Sequence, residues 1–408
     1  MKKWRFLAFT VLSLMLWCGV ASGDVHYEGL STYGGKIYAL ISEETASYPN
    51  FTYYPSKIAE YDKDLNELRR LELKDGEAAA KNSEILALHG GKLYVGSNGG
   101  ALGDPVWGDV WEVDIATWAA RHILDVSQIG VDPYAGIAGL AITNDGTAFL
   151  LTGGYDASWN FRAMLFVTTV DNLSTGNVGT GIPITPKING YSWGIAWSEF
   201  DQTLWVAAGT ELHAYSESGI ETFTPLRLGN NIGSIAALGD RTGLIYTASD
   251  YVNTSVGGIT KTGSAYTVQK DLLTNLTGDA AVFAFKDHNG NARVFLREYN
   301  YGANDFISIY NPNDFSKPII NVSDWGSNIH AITTLGNYLY YGTYEDYDES
   351  GDQLSGKLGR IDMSAWPGGN GGGDYDYDDD DGGGCDSGFG VAILLLLIPA
   401  VLINYRKR

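Results

Sequence analysis

The chain has 408 residues, with 48 acidic against 27 basic side chains, a formal net charge of −21 and only two cysteines. A surface this acidic repels nucleic acid and anionic headgroups, so a nucleic-acid partner is excluded and cations or basic partners are favoured. Both cysteines, Cys18 and Cys385, fall in the terminal segments, so the body of the chain has no disulfide and must be held by apolar cores.

Residues 1–23 read as a signal peptide. Lys2, Lys3 and Arg5 precede the apolar run 6–20, and Ala21-Ser22-Gly23 offers signal peptidase small residues, with the cut after Gly23. Trp17 stands directly before Cys18, where a lipoprotein signal needs a small residue, so Cys18 is a filler of the apolar segment. The expected product is exported, and losing three basic residues lowers its charge to −24.

From residue 24 to 366 the chain repeats. Tyr38, Tyr94, Phe149, Trp205, Tyr246, Phe295 and Tyr340 each close an apolar strand, tight turn, apolar-aromatic pattern, at gaps of 56, 55, 56, 41, 49 and 45 residues. A second hairpin follows each anchor, its first strand at 57–61, 109–113, 163–167, 211–215, 258–260, 306–310 and 357–361. Turns rich in Asn, Asp, Gly and Pro come next. Turn spacing alone would also fit paired β-sandwiches or a β-helix, but four strands per unit and seven units predict an all-β, seven-bladed β-propeller. The seventh unit reaches Trp366 without a clear fourth strand. Residues 24–27 are expected to supply it beside 358–363, protecting an exposed edge.

Blade two, with Gly90-Gly91-Lys92-Leu93-Tyr94, then 109–114 and Trp118, resembles a kelch repeat. The other blades keep only the aromatic. This resemblance implies a fold and no function.

In a propeller the loops from second to third strand share a face with the blade-to-blade connections. Here those loops hold the aromatics, and the candidate ligand-binding residues are Tyr155, Asp156, Trp159, Tyr299, Tyr301 and Asp305. Such rings, each an apolar plate with a polar tip, suit a glycan or a peptide, although rings of this kind also pack onto loop neighbours. Asn82, Tyr134, Tyr191, Asn231, Asp279 and Asn328 each precede an innermost strand and should ring one channel mouth, to bind a ligand or to hold ordered water.

Asp346, Asp348, Ser350 and Asp352 alternate around Gly351 like the first half of a calcium loop, so Ca²⁺ is the candidate cofactor. Lys357 stands where an EF-hand has its bidentate Glu, and the same segment also reads as a solvated acidic loop. Gly190-Tyr191-Ser192-Trp193-Gly194 matches the nucleophile-elbow string but precedes a strand, not a helix. His26 and His330 lie near innermost strands. The preferred reading is a non-enzymatic binding or interaction protein of the cell envelope that recognises an extracellular glycan, peptide or protein. The alternative is an extracellular propeller enzyme, a polysaccharide lyase or hydrolase or a quinone-dependent dehydrogenase, which needs His330, Arg297, Asp305 and Glu298 to converge.

Residues 367–384 form a Gly- and Asp-rich linker, expected to be disordered because it cannot bury apolar area. Residues 385–408 follow with Cys385, an apolar stretch through Ile403 and the basic end Arg406-Lys407-Arg408, a single transmembrane helix with its tail inside. The order of Gly384-Cys385, Gly388-Phe389-Gly390, helix and basic cluster resembles the Synerg-CTERM sorting tail and its GlyGly-CTERM and Myxo-CTERM relatives. The resemblance implies a rhomboid-type sorting protease as partner and Gly384 and Cys385 as the processing site, with membrane anchoring before sorting. A plain, uncut membrane anchor is the other reading of the same residues.

Overall fold

The structure, a computed structural model, describes residues 24–45, 52–97, 108–129, 136–155, 161–184, 193–239, 243–250, 253–262, 265–276, 279–300, 302–347, 353–364 and 366. These residues form seven antiparallel blade sheets, each laid down by one contiguous stretch of chain and ordered from the innermost strand outward, and a two-stranded hairpin of Lys74–Asp75 and Ala78–Ala79. Blade 1 consists of Asp24–Tyr33, Lys36–Thr45, Lys57–Tyr61 and Glu67–Glu72. Blades 2 to 6 begin at Ser83, Gly136, Trp193, Asn231 and Ala280 and have four strands each. Blade 7 has Ser327–Leu335, Tyr338–Tyr347 and Leu358–Asp362, with Gln353–Ser355 pairing the far end of its second strand. This is a seven-bladed β-propeller.

The hairpins form where the sequence permits their turns. Gly34-Gly35 and Gly90-Gly91 have positive φ at both positions (59° and 75°, 58° and 78°), the two-residue turn whose twist matches the flanking strands. All seven anchor aromatics lie on second strands, and each is 2 % exposed or less. All seven expected third strands are present, within a few residues of the expected bounds.

Apolar cores fill the spaces between blades. Each of the seven buried clusters joins two neighbours, from Tyr38 and Leu40 with Trp111 and Val113 between blades 1 and 2 to Leu30, Ile37 and Ile41 with Ala331 and Tyr340 between blades 1 and 7. The ring is closed by this packing.

Among the described residues no strand is shared between blades 7 and 1. Residues 24–27 were expected beside 358–363. They instead begin the innermost strand of blade 1, in register with its second strand from Asp24↔Glu44 to Tyr33↔Lys36. The Gly34-Gly35 turn sets that pairing, because a two-residue loop zips the strands it joins. The segment still meets blade 7: Gly356 N donates to Val25 O (2.7 Å) and Val25 N to Ser355 Oγ (3.3 Å). The outer strand of blade 7 has no further partner strand among the described residues. Beyond it, Met363 N bonds Asn337 O (2.7 Å) and Trp366 packs against Phe285, tying the chain to the groove between blades 6 and 7. Among the described residues no helix is long and apolar enough to cross a membrane. Residues 1–23 and 367–408, with Gly23, Gly384 and Cys385, lie outside the described residues.

Candidate functional site at one channel mouth

Polar and ionisable side chains gather where blades 6, 7, 1 and 2 meet, on the face of the second-to-third-strand loops. They come from the starts of innermost strands (His26, Glu28, Glu84, Asn328, His330) and the ends of second strands (Glu44, Arg297, Tyr344, Glu345). These two kinds of strand end lie side by side in an antiparallel hairpin, so the topology itself gathers these residues.

Arg297 is fully buried. Its Nη1 donates to Asn328 Oδ1 (2.6 Å) and to Ile329 O (3.3 Å), and its Nε lies 3.9 Å from Asp305 Oδ2. A guanidinium can only donate, so the Asn328 atom facing it is the oxygen. That oxygen also faces His330 Nε2 (3.2 Å), which must then be N–H, while Nδ1 lies 2.6 Å from Glu28 Oε2. The Glu28–His330 contact thus bridges the seam between first and last blades.

A second chain of contacts runs beside it. His26 stacks on Tyr344 (centroids 3.7 Å apart, planes at 15°) and donates from Nδ1 to the Tyr344 carbonyl (2.6 Å). The Tyr344 hydroxyl donates to Glu44 Oε1 (2.9 Å). Burial, then Glu44 and Glu28, raises the Tyr344 phenol well above its ordinary value. Tyr53 is pushed up to about 12 by burial, then by Glu44 and Glu84. Burial raises Glu345, with Asp305 adding to it and hydrogen bonds from Tyr347 and Tyr299 opposing. It also raises Asp305 against the pull of Arg297, and lowers Arg297 against the pull of Asp305 and Asp279.

The residues singled out from sequence are distributed unevenly over this site. Asp305 is wholly buried and accepts from Asn300 N, Ser327 Oγ and Ile329 N (3.2–3.4 Å), so it fixes a blade-to-blade connection from within. Tyr299 is half-buried and donates to Glu345 Oε1 (3.4 Å). Tyr155 lies at the end of a second strand, whereas Asp156, Trp159 and Tyr301 lie outside the described residues. Asn82, Asn231, Asp279 and Asn328 are half-buried at or beside the starts of innermost strands; Tyr134 and Tyr191 lie outside the described residues. Asp346 is held by Lys357 Nζ at 3.0 Å; Asp348, Ser350 and Asp352 lie outside the described residues. Among the described residues no group of three His, Cys, Asp or Glu is arranged to hold a metal. His330, Arg297 and Asp305 converge, while Glu298, the next residue after Arg297 in its strand, lies on the other face.

Sequence reading missed Glu28, Glu44 and Glu84. Their signal was an ionisable residue at a strand end beside an apolar run, as in Glu28-Gly29-Leu30 and Glu84-Ile85-Leu86. On the opposite face, a shallow depression of about 590 Å³ is lined by Asp145, Thr147, Gln202, Ser216, Glu217 and Ser218, residues of the short turns.

No protein-family model matches the chain, and no curated protein matches it. Solved structures do. A putative 6-phosphogluconolactonase from Bacteroides fragilis is 12% identical over 85% of this chain and 95% of its own, with a TM-score of 0.50. The β-propeller domain of the Trilobed protease from Pyrococcus furiosus, described as having an open velcro topology, is 12% identical over 83% and 93%, with a TM-score of 0.49. A dihydro-haem d1 dehydrogenase is 16% identical over 71% and 56%, with a TM-score of 0.44. At 12% identity the likeness to the Bacteroides fragilis protein extends to the fold alone.

Proposed function

We propose that the chain is an exported, envelope-anchored binding propeller that recognises a glycan, peptide or other envelope component through the loop face and its channel mouth. One observation carries this reading: the polar mouth and the exit of the chain lie on opposite faces. Met363 is bonded to Asn337, in the first-to-second-strand turn of blade 7, and Trp366 packs beside Phe285 near the corresponding turn of blade 6. A membrane-anchored tail after residue 366 would leave from that side, away from the mouth, and keep the mouth clear of the anchor. Supporting it, His330 and Glu28 at the mouth are buried and Tyr344 is half-buried, each bonded to neighbouring side chains, an arrangement that shapes a surface more readily than it supplies a free nucleophile or base.

The test is a glycan and peptide array probed with the full chain in mild detergent, followed by alanine variants of Tyr155, Trp159, Tyr299 and Tyr301. Removing a central ring should weaken binding about tenfold or more. A ligand bound equally by the parent and all four variants, with unaltered melts, would place recognition elsewhere.

The convergence of His330, Glu28 and Arg297 favours one second reading, an extracellular enzyme. His330 would be its acid or base, and it would first have to release Asn328 or Glu28, which occupy its two ring nitrogens. Turnover of a polysaccharide or a quinone-coupled substrate, abolished in His330→Gln, would favour the enzyme.

A further inference from the structure

The expected signal-peptide cut falls after Gly23, and the innermost strand of blade 1 begins at Asp24. The first exported residue is therefore already part of a sheet. Asp24 lies opposite Glu44 in the second strand, and Val25 lies opposite Glu43. Along a strand the backbone groups point alternately to either side. Gly356 N of blade 7 donates to Val25 O (2.7 Å) and Tyr54 N donates to Glu43 O (2.9 Å), so the backbones of Val25 and Glu43 turn away from each other. Asp24 and Glu44 then form the hydrogen-bonded kind of pair, with the Asp24 nitrogen aimed at the Glu44 carbonyl.

This pair sets two carboxylates against each other. Like charges directly opposite destabilise an antiparallel ladder, because their side chains share one face. The next pair escapes the problem, since Val25 is neutral and Lys57 Nζ lies 2.5 Å from Glu43 Oε1. Among the described residues no lysine or arginine forms an ion pair with Asp24 or Glu44. Glu44 is met by the Tyr344 hydroxyl (2.9 Å) and, at 3.8 Å, by His26 Nε2, and its side chain keeps 12% of its surface exposed.

Signal peptidase can supply a positive charge at this point. Hydrolysis adds water across the Gly23–Asp24 amide: Gly23 leaves as a carboxylate with the signal peptide, and the Asp24 nitrogen becomes an amine that takes up a proton. An α-amino group, with an ordinary value of about 8, is mostly ammonium at neutral pH. One of its N–H groups serves the Glu44 carbonyl, and two are left for a carboxylate.

We propose that the α-ammonium of Asp24, made by removal of the signal peptide, pairs with the Glu44 carboxylate and completes the seam between blades 1 and 7. Glu44 passes the contact on to Tyr344 of blade 7, so processing tightens the ring at the junction of its first and last blades. The proposal rests on export of the chain and not on the binding reading.

The experiment uses the chain as exported, purified in mild detergent, with its N-terminus read by mass spectrometry. Limiting acetic anhydride at pH 7 acetylates α-amines ahead of lysines, and peptide mapping follows the N-terminal peptide. The Asp24 amine should react at least tenfold more slowly in the parent than in Glu44→Gln, while Glu217→Gln on the opposite face keeps the parent rate. Thermal melts accompany each variant. One glycine inserted before Asp24 moves the ammonium outward by about 3.3 Å, and should lower the melt of the parent but not that of Glu44→Gln. Equal acetylation rates in the parent and a folded Glu44→Gln overturn the proposal, as does a mature N-terminus other than Asp24. If Glu44→Gln does not fold, the glycine variant carries the test, and a rate and melt equal to the parent's overturn the proposal. No ligand enters these measurements, so their failure leaves the binding reading to its own test.

Discussion

His330 Nδ1 meets Glu28 Oε2 at 2.6 Å across 302 residues of sequence, the first and last blades touching through a buried ionisable pair. Among the described residues no strand is shared at this seam. Its cohesion comes from the apolar cluster around Leu30 and Tyr340, the Gly356–Val25 bond, the Tyr340 hydroxyl on Lys63 O (2.6 Å) and Tyr344 on Glu44. In a ring without a strand clasp, these contacts stand in for a hydrogen-bonded ladder.

The seam pair should therefore matter far more than surface pairs. His330→Ala leaves the Glu28 carboxyl buried without its partner, and we expect a loss of about 3–5 kcal/mol in urea unfolding. Arg70→Ala, which removes a half-exposed partner from Glu67, should cost no more than about 1 kcal/mol. Equal, small losses in both variants would mean that the seam does not depend on the pair.

Blade packing gives a second expectation. Trp205 is fully buried between blades 4 and 5, so Trp205→Ala should cost about 3–5 kcal/mol. Gly139 shows the opposite error, overfilling. A Cβ there would lie 2.2 Å from Ile195 Cγ2 of the next blade, so Gly139→Ala should cost about 1–3 kcal/mol as blades 3 and 4 separate. Calorimetric melts of the two variants, with an unshifted transition in either, would count against this account of the cores.

Local chemistry was legible in the sequence, and long-range pairing was not. The anchors from Tyr38 to Tyr340 and the third strands following them were readable because alternation and glycine turns are written within about ten residues. Closure was misjudged because nothing within residues 24–27 says whether they pair with residues just downstream or with blade 7; the Gly34-Gly35 turn decided it. Glu28, Glu44 and Glu84 went unread because their partners lie in other blades, where only the assembled ring brings them close. Asp305 was read as a loop residue facing a ligand, but three hydrogen bonds draw it inward.

Glu345 should impose a pH dependence on stability. Burial holds its carboxyl above the ordinary range, so at intermediate pH the folded state keeps a proton that the unfolded chain has lost. Its favourable contribution is complete below the unfolded value and fades as pH rises through the folded one. Glu345→Gln, which cannot ionise, should gain stability relative to the parent as pH climbs from 4 to 7.5. Urea midpoints in that series that stay parallel would show that Glu345 titrates as it does in the unfolded chain.

The sorting expectation is independent of the fold. Residues 385–408 carry the Gly-Cys motif, apolar run and basic end in the order of a sorting tail, and Trp366 leaves the propeller on the face away from the mouth. If a rhomboid-type protease processes the chain at Cys385, mass spectrometry of the envelope-bound protein should find a C-terminus at or next to that residue, with residues 389–405 missing. Cys385→Ala should then retain the basic end, because the motif that marks the cut is gone. Intact Arg408 in mature parent protein would make the tail a permanent anchor.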